Sequence, residues 1–282
     1  MKNSAKLEKL SKELRKTVLK MCYHAGGGHI APSFSSTEIM TTLFFDILNF
    51  DKNNYKSESR DRFILSKGHA SALYYAILAE KGFIDKNSLN TFCQKGSHLG
   101  GHPESHLTPG IDFSTGSLGH GLSFGAGVAF AGKMDKKTYK TYVLLSDGEC
   151  QEGSIWEAAL FSSHHKLDNL VAIVDHNKLQ SLGNVADIAN LDSFADKWKS
   201  FGWDVKEIDG HNIPQLLDTL KSVPFTQNKP SVIIAHTIKG KGVSFMEGMP
   251  IWHYRIPSNK EEWEIACNEL EIDKEEFKEV FS

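Results

Sequence analysis

Two short β-branched apolar runs, each cut off by polar, oxygen-bearing residues, constrain this chain more than any other feature. Residues 141–149 read Thr-Tyr-Val-Leu-Leu-Ser-Asp-Gly-Glu, and residues 170–180 read Leu-Val-Ala-Ile-Val-Asp-His-Asn-Lys-Leu-Gln. Continuous apolar runs of this length mark buried parallel strands, and the abrupt polar ends mark strands that deliver their C-termini to a site. Between them, residues 152–165 have a helical period, with Ser154 as the candidate N-cap. The result is a strand–helix–strand unit with Asp147 ending one strand and Asn177 ending the next. A carboxylate plus an amide carbonyl suits a hard divalent cation that also holds phosphate oxygens. Gly148 would let a diphosphate approach the backbone. Taken alone, either Asp147 or Asn177 reads better as a turn residue.

The rest of the chain repeats this rhythm. Leu7, Leu10, Leu14, Val18 and Met21 recur at helical spacing, and the helix they imply ends where Gly26, Gly27 and Gly28 precede His29. Pro32 and Ser33 are expected to separate this turn from a second helix over residues 36–48. A polar loop over 51–62 leads to an apolar run broken by Lys67-Gly-His69, then a helix over 71–81. His69 thus sits at a strand-to-helix junction, where backbone donors can meet an anion. Residues 96–121 are rich in glycine and carry His98, His102, His106 and His120; no His-x-x-x-His register is present, so an irregular functional loop is preferred to zinc. Residues 118–132 alternate small and apolar side chains, as a closely packed buried helix does. Further on come a helix over 190–202, a strand over 203–208, a helix over 214–223 and an apolar strand over 231–235. A loop over 246–254 and two acidic helices, over 259–270 and 273–281, close the sequence. This alternation predicts one α/β domain over residues 1–282, with a doubly wound, mostly parallel sheet and helices on both faces. Ligands of such sheets gather at the carboxyl ends of the strands.

Composition limits the partners. With 32 Lys and Arg against 35 Asp and Glu, the net charge of −3 points to no nucleic acid and no membrane surface. No apolar run has spanning length, and the N-terminus does not read as a signal peptide. Cys22, Cys93, Cys150 and Cys267 form no Cys-x-x-Cys pair, so a reduced cytoplasmic setting is expected, with Cys150 a passive small residue.

Together, Asp147-Gly-Glu149, Glu152-Gly153, Trp156-Glu-Ala158 and Asn177 resemble the thiamine-diphosphate-binding signature. Ser146 stands where that signature opens with glycine. Gly28-His29, Ser66-Lys-Gly-His69, Gly100-Gly-His-Pro-Glu104, Thr115-Gly-Ser-Leu-Gly-His-Gly121, Lys166-Leu-Asp-Asn-Leu170, Phe201-Gly-Trp-Asp-Val205 and Lys239-Gly-Lys-Gly242 follow in the order found in transketolase. The resemblance runs from about residue 6 onward and covers only the diphosphate-binding domain; the pyrimidine-binding and C-terminal domains would lie on a companion chain. It implies the N-terminal subunit of a split transketolase, which moves a two-carbon ketol unit from a ketose or ketose phosphate to an aldose.

The resemblance further implies thiamine diphosphate with Mg²⁺, or Ca²⁺, held by Asp147, Asn177 and the carbonyl of Leu179. Gly148 and Glu149 would lie at the diphosphate, with His69 and His253 beside it, and Gly116, Ser117 and Leu118 against the aminopyrimidine. His29, His69 and His102 would line the route to the reacting carbon, and Glu152 would join carboxylates reaching the companion chain, in an α2β2 assembly. Trp252-His-Tyr-Arg-Ile-Pro257 departs from the family, which has a small residue after this histidine. Two readings of Tyr254 and Arg255 stay open: altered selectivity toward a modified or sulfonated sugar, or a packed loop with a surface arginine. The competing functions are a deoxyxylulose-phosphate-synthase-like enzyme, the α chain of a 2-oxo acid dehydrogenase, and a non-catalytic module with a degenerate site.

Overall fold

Each apolar run forms a strand, and the strands assemble into one five-stranded parallel sheet of order β1-β2-β3-β5-β4, in a computed structural model describing residues 2–273. The strands are β1 (Arg62–Leu65), β2 (Thr141–Ser146), β3 (Leu170–His176), β4 (Asp204–Asp209) and β5 (Ser231–His236). All four pairings are parallel, with Thr141 opposite Leu170 and His176 opposite His236. Successive side chains point to opposite faces, which explains why the central residues of β2 and β3 are apolar in an unbroken run: both faces are covered. Tyr142, Leu144, Val171, Ile173 and Ile233 pack into one layer with α1 (Lys2–Ala25), α3 (Thr37–Thr42), α4 (Ser71–Glu80) and α9 (Ile213–Lys221). Val143, Leu145, Ala172, Val174 and Ile234 pack into the other, against α5 (Gly121–Met134), α6 (Gly153–His164) and α8 (Phe194–Ser200). The sheet is doubly wound, as the alternation of elements requires. Among the described residues no helix is long and apolar enough to cross a membrane.

Five local expectations need correction. The chain turns helical at Ile30, in α2 (Ile30–Ser35), and Pro32 sits inside its first turn. Proline is tolerated there because those N–H groups have no intrahelical acceptor. Residues 36–48 are consequently not one helix but α3 followed by a π-helical turn, Leu43–Ile47. Ser154 does not cap α6: Glu152 holds the N-cap position, and the Ser154 hydroxyl donates to the Gly119 carbonyl at 2.8 Å. The helix expected over 190–202 starts only at Phe194, after the short α7 (Val185–Ile188). The loop expected over 246–254 ends in a 3₁₀ turn, Pro250–Tyr254. The first acidic helix is α10 (Lys260–Glu269), capped by Asn259; the second, over 273–281, lies outside the described residues but for Asp273.

Two buried charge clusters pin the strand ends. Lys67, just after β1, pairs with Asp175 near the end of β3, and both are fully buried. Lys67 also donates to Ser36 Oγ and the Pro32 carbonyl, while Ser35, Ser36 and Thr237 donate to Asp175. Burial alone would raise the Asp175 pKa, but the ammonium and these donors outweigh it and hold it below the usual carboxylate range. The second cluster joins Arg15 of α1 to Glu38 of α3 at 2.5 and 2.7 Å. Glu38 also pairs with His211 Nδ1, whose Nε2 accepts the Ile238 N–H at 2.8 Å.

Removing one partner of the first pair strands a charge in the core. Lys67→Met is expected to cost about 3–5 kcal/mol in urea denaturation, and Lys67→Met/Asp175→Leu to recover more than half of that loss.

Candidate active site

The carboxyl ends of β1, β2, β3 and β5 converge on one cavity of about 200 Å³. Its wall includes His69, Leu118, Glu149, Glu152, Asn177 and His253. Complete small-molecule sites occupy about 300–1,000 Å³, so this cavity is smaller than a complete small-molecule site.

The β2 end is built around Glu149, whose buried carboxylate accepts from Ser66 Oγ, Gly119 N at 3.0 Å and Ser146 N at 3.1 Å. Burial pushes its pKa up, against the pull of those donors. Gly119 has φ +87, and a Cβ there would stand 2.8 Å from Glu152 Cβ, so only glycine closes this turn. Gly148 is crossed by the Gln180 side chain, 2.8 Å from where its Cβ would lie. Cys150 is fully buried, and burial raises its thiol pKa well above the ordinary range, in keeping with a passive role.

Asp147 is fully buried, and its carboxylate accepts from the Gly148 and Lys178 backbone N–H groups. Within the described residues its one ionisable partner is His176 Nδ1, at 3.2 Å. Asn177 Oδ1 accepts from Leu179 N at 3.1 Å, and Asn177 and Leu179 both line the cavity. Carboxylate, amide and backbone carbonyl oxygens are the donor set of a hard cation. A buried carboxylate held chiefly by neutral donors is where an added positive charge is favoured. The residues therefore fit a divalent ion, although Asp147 lies behind the cavity wall rather than on it. Among the described residues no three His, Cys, Asp or Glu side chains cluster with metal-ligating geometry.

Lys239 was visible in the sequence only as part of a glycine run, and the structure gives it a central place. Its buried ammonium spends three donors on the Leu179 carbonyl at 3.1 Å, the Gln180 carbonyl at 3.2 Å and His253 Nδ1 at 2.8 Å. Burial, then Lys67, lowers its pKa to about 8. With Nδ1 accepting from an ammonium, the ring proton of neutral His253 sits on Nε2.

Four imidazoles gather from four segments distant in sequence. His29 is in ring contact with His69 at 5.4 Å, His102 at 6.0 Å and His253 at 5.2 Å, and His69 meets His253 at 5.3 Å. The glycine loop aims His29 inward: Gly28 has φ +153, and a Cβ there would strike Cys22 Sγ at 2.6 Å. Of the histidine-rich passage only His102 joins the cluster; His106 pairs with Glu104 on the surface, His120 is exposed at the N-cap of α5, and His98 makes no ring contact with the four. Gly116 packs against the His102 ring, while Ser117 is exposed and outside the cavity wall. Burial is the main cause that lowers all four pKa values, to about 4 at His29 and about 3 at His253. The rings are therefore neutral near pH 7 and can each accept or donate a proton.

Residues 7–278 match the family model described as transketolase, thiamine diphosphate binding domain. An apulose-4-phosphate transketolase subunit of Phocaeicola vulgatus is 46% identical over 264 residues, covering 94% of this chain and 93% of that protein. The 6-deoxy-6-sulfo-D-fructose transketolase subunit SqwG of a Clostridium species is 41% identical, covering 92% and 94%. The transketolase of Campylobacter jejuni superposes with a TM-score of 0.88 at 30% identity, over 95% of this chain but 43% of that one. The chain thus spans about two fifths of that solved transketolase and nearly all of the two subunit relatives.

The imidazole cluster sets a pH dependence. In the unfolded chain these rings take up protons near pH 6.5, whereas folded His29 and His253 resist to about 4 and about 3. The unfolded state then binds more protons, so their contribution is full above pH 6.5 and is lost as pH falls toward 4. Thermal melting of the cofactor-free chain is expected to show Tm falling over this window, with a shallower fall in His29→Gln/His253→Asn.

Proposed function

The chain belongs to the transketolase family, within its thiamine-diphosphate-binding domain, and on that premise we propose that it is the cofactor-anchoring subunit of a two-chain transketolase. The companion would supply the pyrimidine-binding and C-terminal domains, in an α2β2 assembly with the cofactor between unlike chains. The subunit names of the two relatives support this division, as does a cavity smaller than a complete small-molecule site. The observation that carries the reading is a cluster of four imidazoles whose inner members, His69 and His253, line a cavity walled by the ends of β2 and β3. Those relatives are transketolase subunits, which supports this reading over the synthase-like, dehydrogenase-like and degenerate-module alternatives.

In this reading Asp147, Asn177 and the Leu179 carbonyl hold Mg²⁺, with Gly148 and Glu149 at the diphosphate and Gly116, Ser117 and Leu118 beside the pyrimidine. The chemistry supplied by bound thiamine diphosphate is a nucleophilic carbon and an electron sink for cleaving the C–C bond beside a ketose carbonyl. The chain's own residues do the rest. Lys239 holds His253 by Nδ1, so His253 offers its Nε2–H to oxygen as negative charge develops. His29, His69 and His102 line the route for substrate and exchange protons with its hydroxyl groups. Glu152, exposed in this chain, reaches across to carboxylates of the companion. The substrates are a ketose or ketose phosphate and an aldose acceptor; the phosphorylated and sulfonated sugars in the relatives' names support testing both classes. Four cysteines that remain thiols support a cytoplasmic setting.

The purified chain is expected to be inactive alone and to transfer ketol units once mixed with its companion, thiamine diphosphate and Mg²⁺, in a coupled assay. His69→Ala in that pair is expected to lower kcat/KM by about 10²–10⁴-fold. Full activity from the single chain would refute the division.

A further inference from the structure

Tyr254 projects from the mouth of the imidazole cluster, where a buried packing role cannot account for it. Its ring stands edge-on to His29 at 4.7 Å, yet the side chain is 61% exposed. The 3₁₀ turn explains the placement: Trp252 is buried beneath it, His253 turns inward to Lys239, and the next residue turns outward. The glycine loop leaves room opposite, since a Cβ on Gly27 would come within 3.4 Å of the Tyr254 hydroxyl. Arg255 is not part of this mouth. Its guanidinium stacks over Trp252 at 4.3 Å and is held by Glu262 at 2.7 Å and Ser258 at 3.1 Å, so it is committed to the loop. What this loop offers an incoming molecule is therefore an uncharged aromatic surface.

The cavity end of the cluster is formed by His69 and His253, and His29 lies one ring further out. His29 touches Tyr254 and His102, the two exposed rings of the group, so these border the way from the cavity to solvent. A sugar reacting at the cavity end must run the remainder of its carbon chain along this border. We propose that Tyr254 is a specificity-determining residue, a platform on which the C–H face of the non-transferred part of a ketose packs. The platform favours polyhydroxylated chains of five or six carbons over truncated donors, and being uncharged it does not read a terminal phosphate or sulfonate. This rests on the ketol-transfer reading above.

The test uses the reconstituted pair with thiamine diphosphate and Mg²⁺, and glycolaldehyde as a common short acceptor. Two donors are compared: a five- or six-carbon ketose phosphate, and hydroxypyruvate, which gives up the same two-carbon unit with carbon dioxide as the other fragment. In Tyr254→Ala the ratio of kcat/KM for the ketose to that for hydroxypyruvate is expected to fall about fivefold, through KM, as one aromatic packing contact is lost. Tyr254→Phe, which keeps the ring, is expected to restore the ratio. An unchanged ratio in Tyr254→Ala, whether both activities fall together or neither moves, would overturn the proposal. Absence of transfer by the unaltered pair from either donor would instead remove the ketol-transfer reading, and this inference with it.

Discussion

The site depends on a lysine ammonium buried against an aspartate, with both side chains out of reach of solvent. Lys67 and Asp175 come from strands separated by β2; Ser36 bonds both, Pro32 accepts from Lys67, and Ser35 and Thr237 donate to Asp175, so α2, its C-cap and the segment after β5 are tied in as well. One ion pair thus fixes three strand ends and a helix relative to each other. His69 follows Lys67 by two residues, Asn177 follows Asp175 by two, and Lys239 follows Thr237 by two. The cost of burying two charges is offset only when every donor and acceptor is satisfied. Here the demand for satisfaction holds the strand ends in place.

Much of this was legible in the sequence, for a physical reason. A strand covered on both faces is apolar along its middle without alternation, so β2, β3 and β5 declare themselves, and their polar ends declare where ligands go. Asp147, Asn177, His29 and His69 stand out because they sit at such ends or beside glycine turns, whereas His102 and His253 are singled out only by the resemblance to transketolase. The sequence is silent on pairing between distant residues. Nothing local marks Lys67 as the partner of Asp175, 108 positions away, or Lys239 as the anchor of His253. It also cannot rank four histidines in one irregular loop; only the fold shows that His102 meets His29 while His106 meets Glu104. Pro32 misled for a related reason: proline breaks a helix interior but not a first turn, and which applies depends on where the preceding turn ends.

The electrostatics of the pocket lean two ways. Lys67 and Lys239 bring positive charge beneath the imidazoles and, with burial, keep those rings neutral. Asp147, by contrast, is a carboxylate without a lysine or arginine partner among the described residues. An anionic ligand over the lysines and a cation beside Asp147 would satisfy both at once, which is the charge pattern of a metal–diphosphate pair. Within the described residues the cavity wall for such a ligand includes the exposed Glu152.

In the proposed function this chain anchors a metal–diphosphate cofactor that the companion chain encloses. Calorimetric titration of thiamine diphosphate, with Mg²⁺, into the equimolar pair tests it most directly. The expected result is saturable binding at one cofactor per pair, weakened at least about 100-fold by Asp147→Ala or by removing Mg²⁺ with a chelator. Equal affinity in the unaltered and Asp147→Ala pairs would contradict it.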